Sequence, residues 1–136
     1  MNDLSWRLLV EAAHRARANA YAPYSGYQVG AALAADDGRI FAGCNVENAT
    51  YGLTLCAERS AVAQLVAAGG RTIAGLVVVT RGPEPGNPCG LCRQTLAEFA
   101  TDLPIGLALE GDLAPRVIKS LAVLFPEPFR GDLVKR

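Results

Sequence analysis

Residues Ile73 to Leu109 read IAGLVVVTRGPEPGNPCGLCRQTLAEFATDLPIGLAL. Leu76-Val77-Val78-Val79 is an apolar run of strand length, suited to a strand buried on both faces. Asn87 is placed to cap a helix, with Pro88 at its first position, where a missing N–H costs little. Leu96, Phe99 and Ala100 give that helix an apolar side. Ile105 to Leu109 is a further strand. Strand, helix and strand in succession imply parallel strands joined by a right-handed crossover.

Outward from this unit, Leu55 to Ala68 reads as a helix, capped by Thr54 and ended by Gly69-Gly70. Gln28 to Ala35 and Arg39 to Val46 read as strands of a hairpin turning at Asp36-Asp37-Gly38, which makes the sheet mixed. Tyr21 to Tyr27, YAPYSGY, is a loop. Leu4 to Ala20 is an amphipathic helix, capped by Asp3 or Ser5, with Leu8, Leu9, Ala12, Ala13 and Ala16 inward and Arg7, Glu11, Arg15 and Arg17 outward. Toward the C-terminus, Glu110-Gly111-Asp112 is a turn. Arg116 to Lys119 is a strand or a helix start, and Leu121 to Leu124 is a short turn ending at Pro126. No repeat, low-complexity segment or linker divides the chain, so residues 1–136 are expected to form one α/β domain.

Thirteen basic and thirteen acidic residues cancel. That balance gives no basic groove for a nucleic acid polymer. No apolar run approaches the ~20 residues that cross a bilayer. Met1-Asn2-Asp3 carries no basic segment and no apolar stretch follows it, so a cytoplasmic location is expected. In that reducing compartment Cys44, Cys56, Cys89 and Cys92 are not expected to form structural disulfides.

Cys89 and Cys92, three apart at a helix start, fit a redox dithiol and half of a metal site equally well. Either use benefits from the helix N-terminus, which favours thiolate. Cys56 shifts the balance toward metal, because it falls at about the second position of another helix that follows a strand of the same sheet. Three thiolates brought together have no use in a redox pair. Zinc takes four tetrahedral ligands, and three from protein with one position open is the catalytic arrangement. A structural site would need a fourth ligand from His14 or Cys44. His14 reads as a solvated residue on the polar side of its helix, and Cys44 as a small buried hydrophobe. Glu58 is either a first-turn carboxylate favoured by the helix dipole or an acid–base group beside the open metal position.

Three segments carry a resemblance: YAPYSGYQVGAAL (Tyr21 to Leu33), GCNVENATYGLTLCAERSAV (Gly43 to Val62) and PCGLCRQ (Pro88 to Gln94). They resemble the signature segments of the small homotetrameric cytidine deaminases, and the likeness runs from the first helix to about Leu133. The C-A-E and P-C-x-x-C pair is specific to zinc-dependent nucleoside and nucleobase deaminases. The resemblance implies a three-layer αβα sandwich with a five-stranded mixed sheet, and favours the strand reading of Arg116 to Lys119.

It further implies one Zn²⁺ per chain on Cys56, Cys89 and Cys92, with Glu58 as the catalytic proton shuttle. Asn45 and Glu47 would grip the sugar and Tyr27, standing where Phe is usual, would pack on the pyrimidine. The Ala57 N–H would meet the pyrimidine carbonyl, and Arg59 would lie against the thiolates. Phe129, in LAVLFPEPF (Leu121 to Phe129), would close the pocket of a neighbouring copy in a homotetramer. The implied reaction is hydrolytic deamination of cytidine and 2′-deoxycytidine in pyrimidine salvage. Its rivals are deamination of a modified cytosine nucleoside, a zinc-stapled module and a thiol–disulfide protein. Ala122, Val123, Phe125 and Pro128, and Leu91 between the paired cysteines, depart from the family's usual residues.

Overall fold

A computed structural model of the chain describes residues 1–134; Lys135 and Arg136, the last two of the expected 1–136 domain, lie outside the described residues. In chain order the elements are α1 (Asp3–Arg17), β1 (Gly30–Ala35), β2 (Ile40–Cys44), α2 (Ala57–Ala67), β3 (Ile73–Thr80), α3 (Gly90–Phe99), β4 (Pro104–Leu109), β5 (Val117–Ser120) and α4 (Leu121–Leu124). Single 3-10 turns occupy Tyr51–Leu53 and Gly131–Leu133. The strands form one five-stranded sheet in the order β2-β1-β3-β4-β5. Only β3 and β4 are parallel neighbours; every other adjacent pair is antiparallel. The first hairpin causes this. β1 lies between β2 and β3 and pairs with both, so α2 carries the chain across β1 rather than to an adjacent strand.

The period of two along each strand sorts the core into two layers. Ala31 and Leu33 of β1, Leu76 and Val78 of β3 and Leu107 of β4 pack with Ala61, Leu65 and Leu96 from α2 and α3. Ala32, Val77, Val79 and Ala108 face the opposite way, against Trp6, Leu9, Val10 and Ala13 of α1. The result is the three-layer αβα sandwich with a mixed sheet. Leu33, Leu76 and Leu96 are wholly buried, and each such side chain contributes about 2 kcal/mol of apolar burial. Gly43 brings α2 down onto β2, because a Cβ there would lie 2.6 Å from the Ala61 nitrogen. That close approach sets the height at which α2 begins.

Several boundaries differ from expectation, each for a local reason. The cap of α1 is Asn2, whose Oδ1 accepts from the Ser5 N–H at 2.9 Å. The buried face of α1 is rotated from the one expected: Trp6 and Val10 are inside, Leu8 is exposed, and Arg17 is buried. Arg17 satisfies its guanidinium there by donating to the Gln28 carbonyl at 2.9 Å and pairing with Glu110 at 3.3 Å. The helix stops at Arg17, short of Ala20. β1 starts at Gly30, because the preceding loop is held by side chains rather than by a ladder. Val46 lies beyond β2 and makes isolated bridges to Tyr21 and Leu55. Residues 117–120 are a strand, antiparallel to β4.

Candidate metal centre and substrate pocket

α2 and α3 each follow a strand that ends on the same side of the sheet, since Cys44 of β2 and Val79 of β3 flank Gly30 of β1 in register. Their N-termini therefore stand side by side above the C-terminal strand ends, where open α/β sheets place their ligands. The expected caps, Thr54 and Asn87, are not the residues that start these helices. Cys56 is the N-cap of α2 and Cys89 that of α3, both with extended backbone and neither making a side-chain cap bond. Thr54 spends its carbonyl on Arg59, and Asn87 accepts from Lys119 Nζ at 2.9 Å. Pro88 thus lies before the helix rather than inside it.

The Sγ atoms of Cys56, Cys89 and Cys92 all lie within 4.8 Å of one another. Cys56 and Cys89 are 3.8 Å apart, and Cys89 and Cys92 3.5 Å. Two sulfurs bound tetrahedrally to zinc at ~2.3 Å sit about 3.8 Å apart, so the triad has the span of a zinc site. Its electrostatics point the same way. The Cys56 thiol, beside Cys92 and a guanidinium N–H of Arg59, is lowered to about 5. Cys92, hydrogen-bonded to Cys56 and buried, is pushed up. Three thiols in contact cannot all ionise without a cation, and thiolate sites favour soft or borderline cations, among them zinc.

Neither reserve ligand joins them. Cys44, expected as a small buried hydrophobe, is half-buried at the end of β2 and outside the cluster. Burial still raises its thiol. His14 is half-buried and not simply solvated: its Nε2 lies 3.0 Å from the Asp112 carbonyl oxygen, near the turn beyond β4.

Arg59, in the first turn of α2, donates through Nη2 to the Thr54 carbonyl at 3.0 Å and to Cys56 Sγ at 3.5 Å. Its Nε is buried without a hydrogen-bond partner among the described residues. The Cys56 sulfur raises the guanidinium above its usual range, so this group stays charged. Glu58, on the next position toward the N-terminus, is only 5 % exposed, and burial raises its carboxyl above the ordinary glutamate value. A carboxyl so placed takes up and releases protons nearer neutral pH than one in water.

A cavity of about 260 Å³ opens onto this corner. Its lining includes Cys56, Ala57, Glu58 and Cys89 from the two helix starts, Asn45 and Glu47 from beyond β2, and Tyr27, Val29 and Val78. Asn45 is buried and clamps the wall loop: its Oδ1 accepts from the Val29 N–H and its Nδ2 donates to the Tyr27 carbonyl, both at 2.8 Å. Glu47 accepts from the backbone N–H groups of Tyr24 and Ser25 and from the Ser25 hydroxyl. Tyr27 also lies 5.9 Å from the Arg81 guanidinium, over the face of its ring. Ten residues were anticipated for the site. Cys56, Cys89, Asn45, Glu47, Tyr27, Ala57 and Glu58 line the cavity, while Cys92 completes the sulfur cluster outside that lining and Arg59 reaches Cys56 Sγ. Phe129 lies outside this cavity's lining; it is 61 % exposed, with its backbone held to α3 by both amide atoms of Gln94. Ser25 and Thr80 line the cavity without having been anticipated. Ser25 lies within the segment Tyr21 to Leu33 that carries the resemblance, just before Gly26, whose φ of 68° makes the turn, but neither signal gives it a role.

Such an arrangement suits a planar, polar ring facing the thiolates and Glu58, with a hydroxylated group reaching Asn45 and Glu47. The comparisons with known proteins agree. The family model of the cytidine and deoxycytidylate deaminase zinc-binding region matches residues 5–105. A cytidine deaminase of Sporosarcina psychrophila is 44 % identical over 83 % of this chain and 85 % of its own, and one of Mycobacterium tuberculosis 45 % over 85 % and 90 %. The crystal structure of cytidine deaminase from Burkholderia pseudomallei superposes with a TM-score of 0.83 at 46 % identity, covering 90 % of this chain and 97 % of that one. The three-cysteine corner, the cavity it opens on and these likenesses together place the chain in the zinc-dependent cytidine and deoxycytidylate deaminase family.

Proposed function

We propose that this protein hydrolyses cytidine and 2′-deoxycytidine to uridine and 2′-deoxyuridine, releasing ammonia, as a step of pyrimidine salvage. The observation that carries the reading is Glu58. A structural zinc site has no need of an acid–base group, yet this buried carboxyl lines the same cavity as two of the three clustered thiols. Zinc, when bound by Cys56, Cys89 and Cys92, supplies the Lewis acidity that makes water nucleophilic near neutral pH. Glu58 takes the proton of the attacking water and delivers it to N3 of the base, which makes C4 electrophilic. Once oxygen is bonded to C4, Glu58 takes the remaining hydroxyl proton and delivers it to the amino group, so that the C4–N bond breaks, ammonia leaves and the C4 carbonyl forms. The Ala57 N–H, at the start of α2, binds the pyrimidine carbonyl. Tyr27 packs on the ring, Asn45 and Glu47 hold the sugar, and Arg59 offsets the charge of the thiolates.

The described residues contain no helix long and apolar enough to cross a membrane, and the charge balance offers no nucleic acid groove. Those features are in keeping with a cytoplasmic enzyme of free nucleosides, and the single five-stranded sheet supports residues 1–136 as one domain. Phe129, Val123 and Leu91 are exposed apolar side chains. They support a homotetramer in which Phe129 of one copy closes the cavity of another.

Glu58→Gln keeps the shape of the site but cannot shuttle protons. It is expected to retain zinc and to lose more than about a hundredfold in turnover. Turnover within about tenfold of the parent would remove Glu58 from its role. An active monomer by light scattering would refute the shared-site assembly.

A further inference from the structure

The Ser25 hydroxyl sits between two parts of the cavity wall. It donates to Glu47 Oε2 and accepts from the Tyr27 N–H at 3.0 Å. The direction of this chain is fixed by its ends, because a backbone N–H only donates and an ionised carboxylate only accepts. Glu47 Oε1 is taken up separately by the N–H groups of Tyr24 and Ser25, at 2.9 and 3.1 Å. A carboxylate offers about four acceptor sites. Three are filled from the loop, and the free one is on Oε2, the oxygen that Ser25 holds. The Ser25 hydroxyl is also the largest influence keeping the Glu47 carboxyl below its usual range. Across the same loop, the Tyr27 carbonyl is held by Asn45. Both backbone polar groups of Tyr27 are therefore fixed by side chains, one of them through Ser25.

We propose that Ser25 is a positioning residue that couples Glu47 to Tyr27. It fixes together the carboxylate oxygen that receives a sugar hydroxyl and the ring that meets the base. The inference rests on the reading of Glu47 as a sugar ligand. Charged groups and backbone donors joined through one hydroxyl reinforce one another. Removing that hydroxyl frees Oε2 to swing and leaves the Tyr27 N–H without a partner. Neither change reaches Glu58 or the cysteines, so the loss falls on substrate binding rather than on the chemical step.

The test compares cytidine with 2′,3′-dideoxycytidine, which lacks both hydroxyls of the sugar ring, on zinc-loaded enzyme. For cytidine, Ser25→Ala is expected to raise KM roughly tenfold to a hundredfold, the size of a lost hydrogen bond to a charged group. Its kcat and zinc content stay near the parent's, and Ser25→Thr, which keeps the hydroxyl, recovers most of the loss. For dideoxycytidine, the KM penalty of Ser25→Ala shrinks to a few-fold, because the contact it supports is already missing. Equal penalties on both substrates, or a fall in kcat with KM unchanged, would overturn the proposal. Glu47→Gln separates the two levels. If it discriminates between the substrates while Ser25→Ala does not, the role of Ser25 fails alone. If Glu47→Gln costs both substrates equally, the sugar reading fails and the proposal with it.

Discussion

The four helices begin in two different ways. α1 and α4 start on side chains that satisfy the helix end: Asn2 accepts from the Ser5 N–H at 2.9 Å, and Ser120 from the Ala122 N–H at 3.2 Å. α2 and α3 start on Cys56 and Cys89, which make no such bond. An N-cap acceptor stabilises a helix by about 1 kcal/mol. The chain forgoes that at the two helices that meet over the cavity and keeps it at the two that do not. The first-turn N–H groups stay available, and the positive helix end faces sulfur. The difference teaches that the starts of α2 and α3 are built for a cation held by thiolates, with the buried leucines of the sheet supplying the stability forgone there.

The largest effect that breaks or upholds this contrast is loss of the metal. Cys56→Ala, Cys89→Ala and Cys92→Ala are each expected to lose zinc and turnover together, and Cys44→Ala to keep both. Zinc content of the purified variants decides it, and an empty Cys44→Ala protein would break the assignment. A smaller effect belongs to Arg59, whose guanidinium reaches Cys56 Sγ. Arg59→Gln should bind zinc yet turn over ~10–100-fold more slowly, the usual loss when a group supporting a metal ligand is removed. Parental turnover would mean that the helix ends balance the thiolates unaided.

Smaller still is the cap exchange. In metal-free protein, Cys89→Ser puts an oxygen acceptor at an uncapped start and should raise unfolding stability by about 1 kcal/mol, whereas Asn2→Ala should lower it by a similar amount. Equal and opposite shifts in denaturant midpoint would sharpen the comparison; a destabilised Cys89→Ser apoprotein would contradict it. The smallest effect is acid sensitivity at the start of α4. The Ser120 hydroxyl, with the Ala122 and Leu103 N–H groups, lowers the Asp102 carboxyl from its usual 3.8. A depressed folded value means the stabilisation is present above the unfolded value and is lost as pH falls through the folded one. Asp102→Asn should therefore flatten the acid limb of thermal stability below about pH 4, and an unchanged limb would show that Asp102 contributes nothing there.

What the sequence carried most clearly were features with a short period or a fixed spacing. Residues 73–80 form the strand that their apolar run implied, and C-A-E with P-C-x-x-C located the three thiols and Glu58. The rest depends on contacts between distant segments. Arg17 is polar by type, yet it is buried because Gln28 and Glu110 receive its guanidinium. The helix starts lie two residues beyond Thr54 and Asn87, which are good caps by type: Thr54 instead closes the 3-10 turn at Tyr51–Leu53, its N–H donating to the Tyr51 carbonyl, and the Asn87 side chain is taken by Lys119 from a distant strand. Ser25 could not be singled out, since its partner Glu47 lies 22 residues away, beyond the β1–β2 hairpin, and the loop that holds Ser25 is shaped by Gly26 and Asn45.

The central claim is that three thiols at two uncapped helix starts hold the zinc that, with Glu58, deaminates cytidine. Its most direct test is an ultraviolet assay of cytidine conversion to uridine, with zinc measured on the same sample before and after chelation. About one zinc per chain, turnover that disappears on chelation and turnover that returns with added zinc are the predicted results. A folded, zinc-loaded protein inert toward both cytidine and 2′-deoxycytidine, or one equally active after its zinc is removed, would contradict the account.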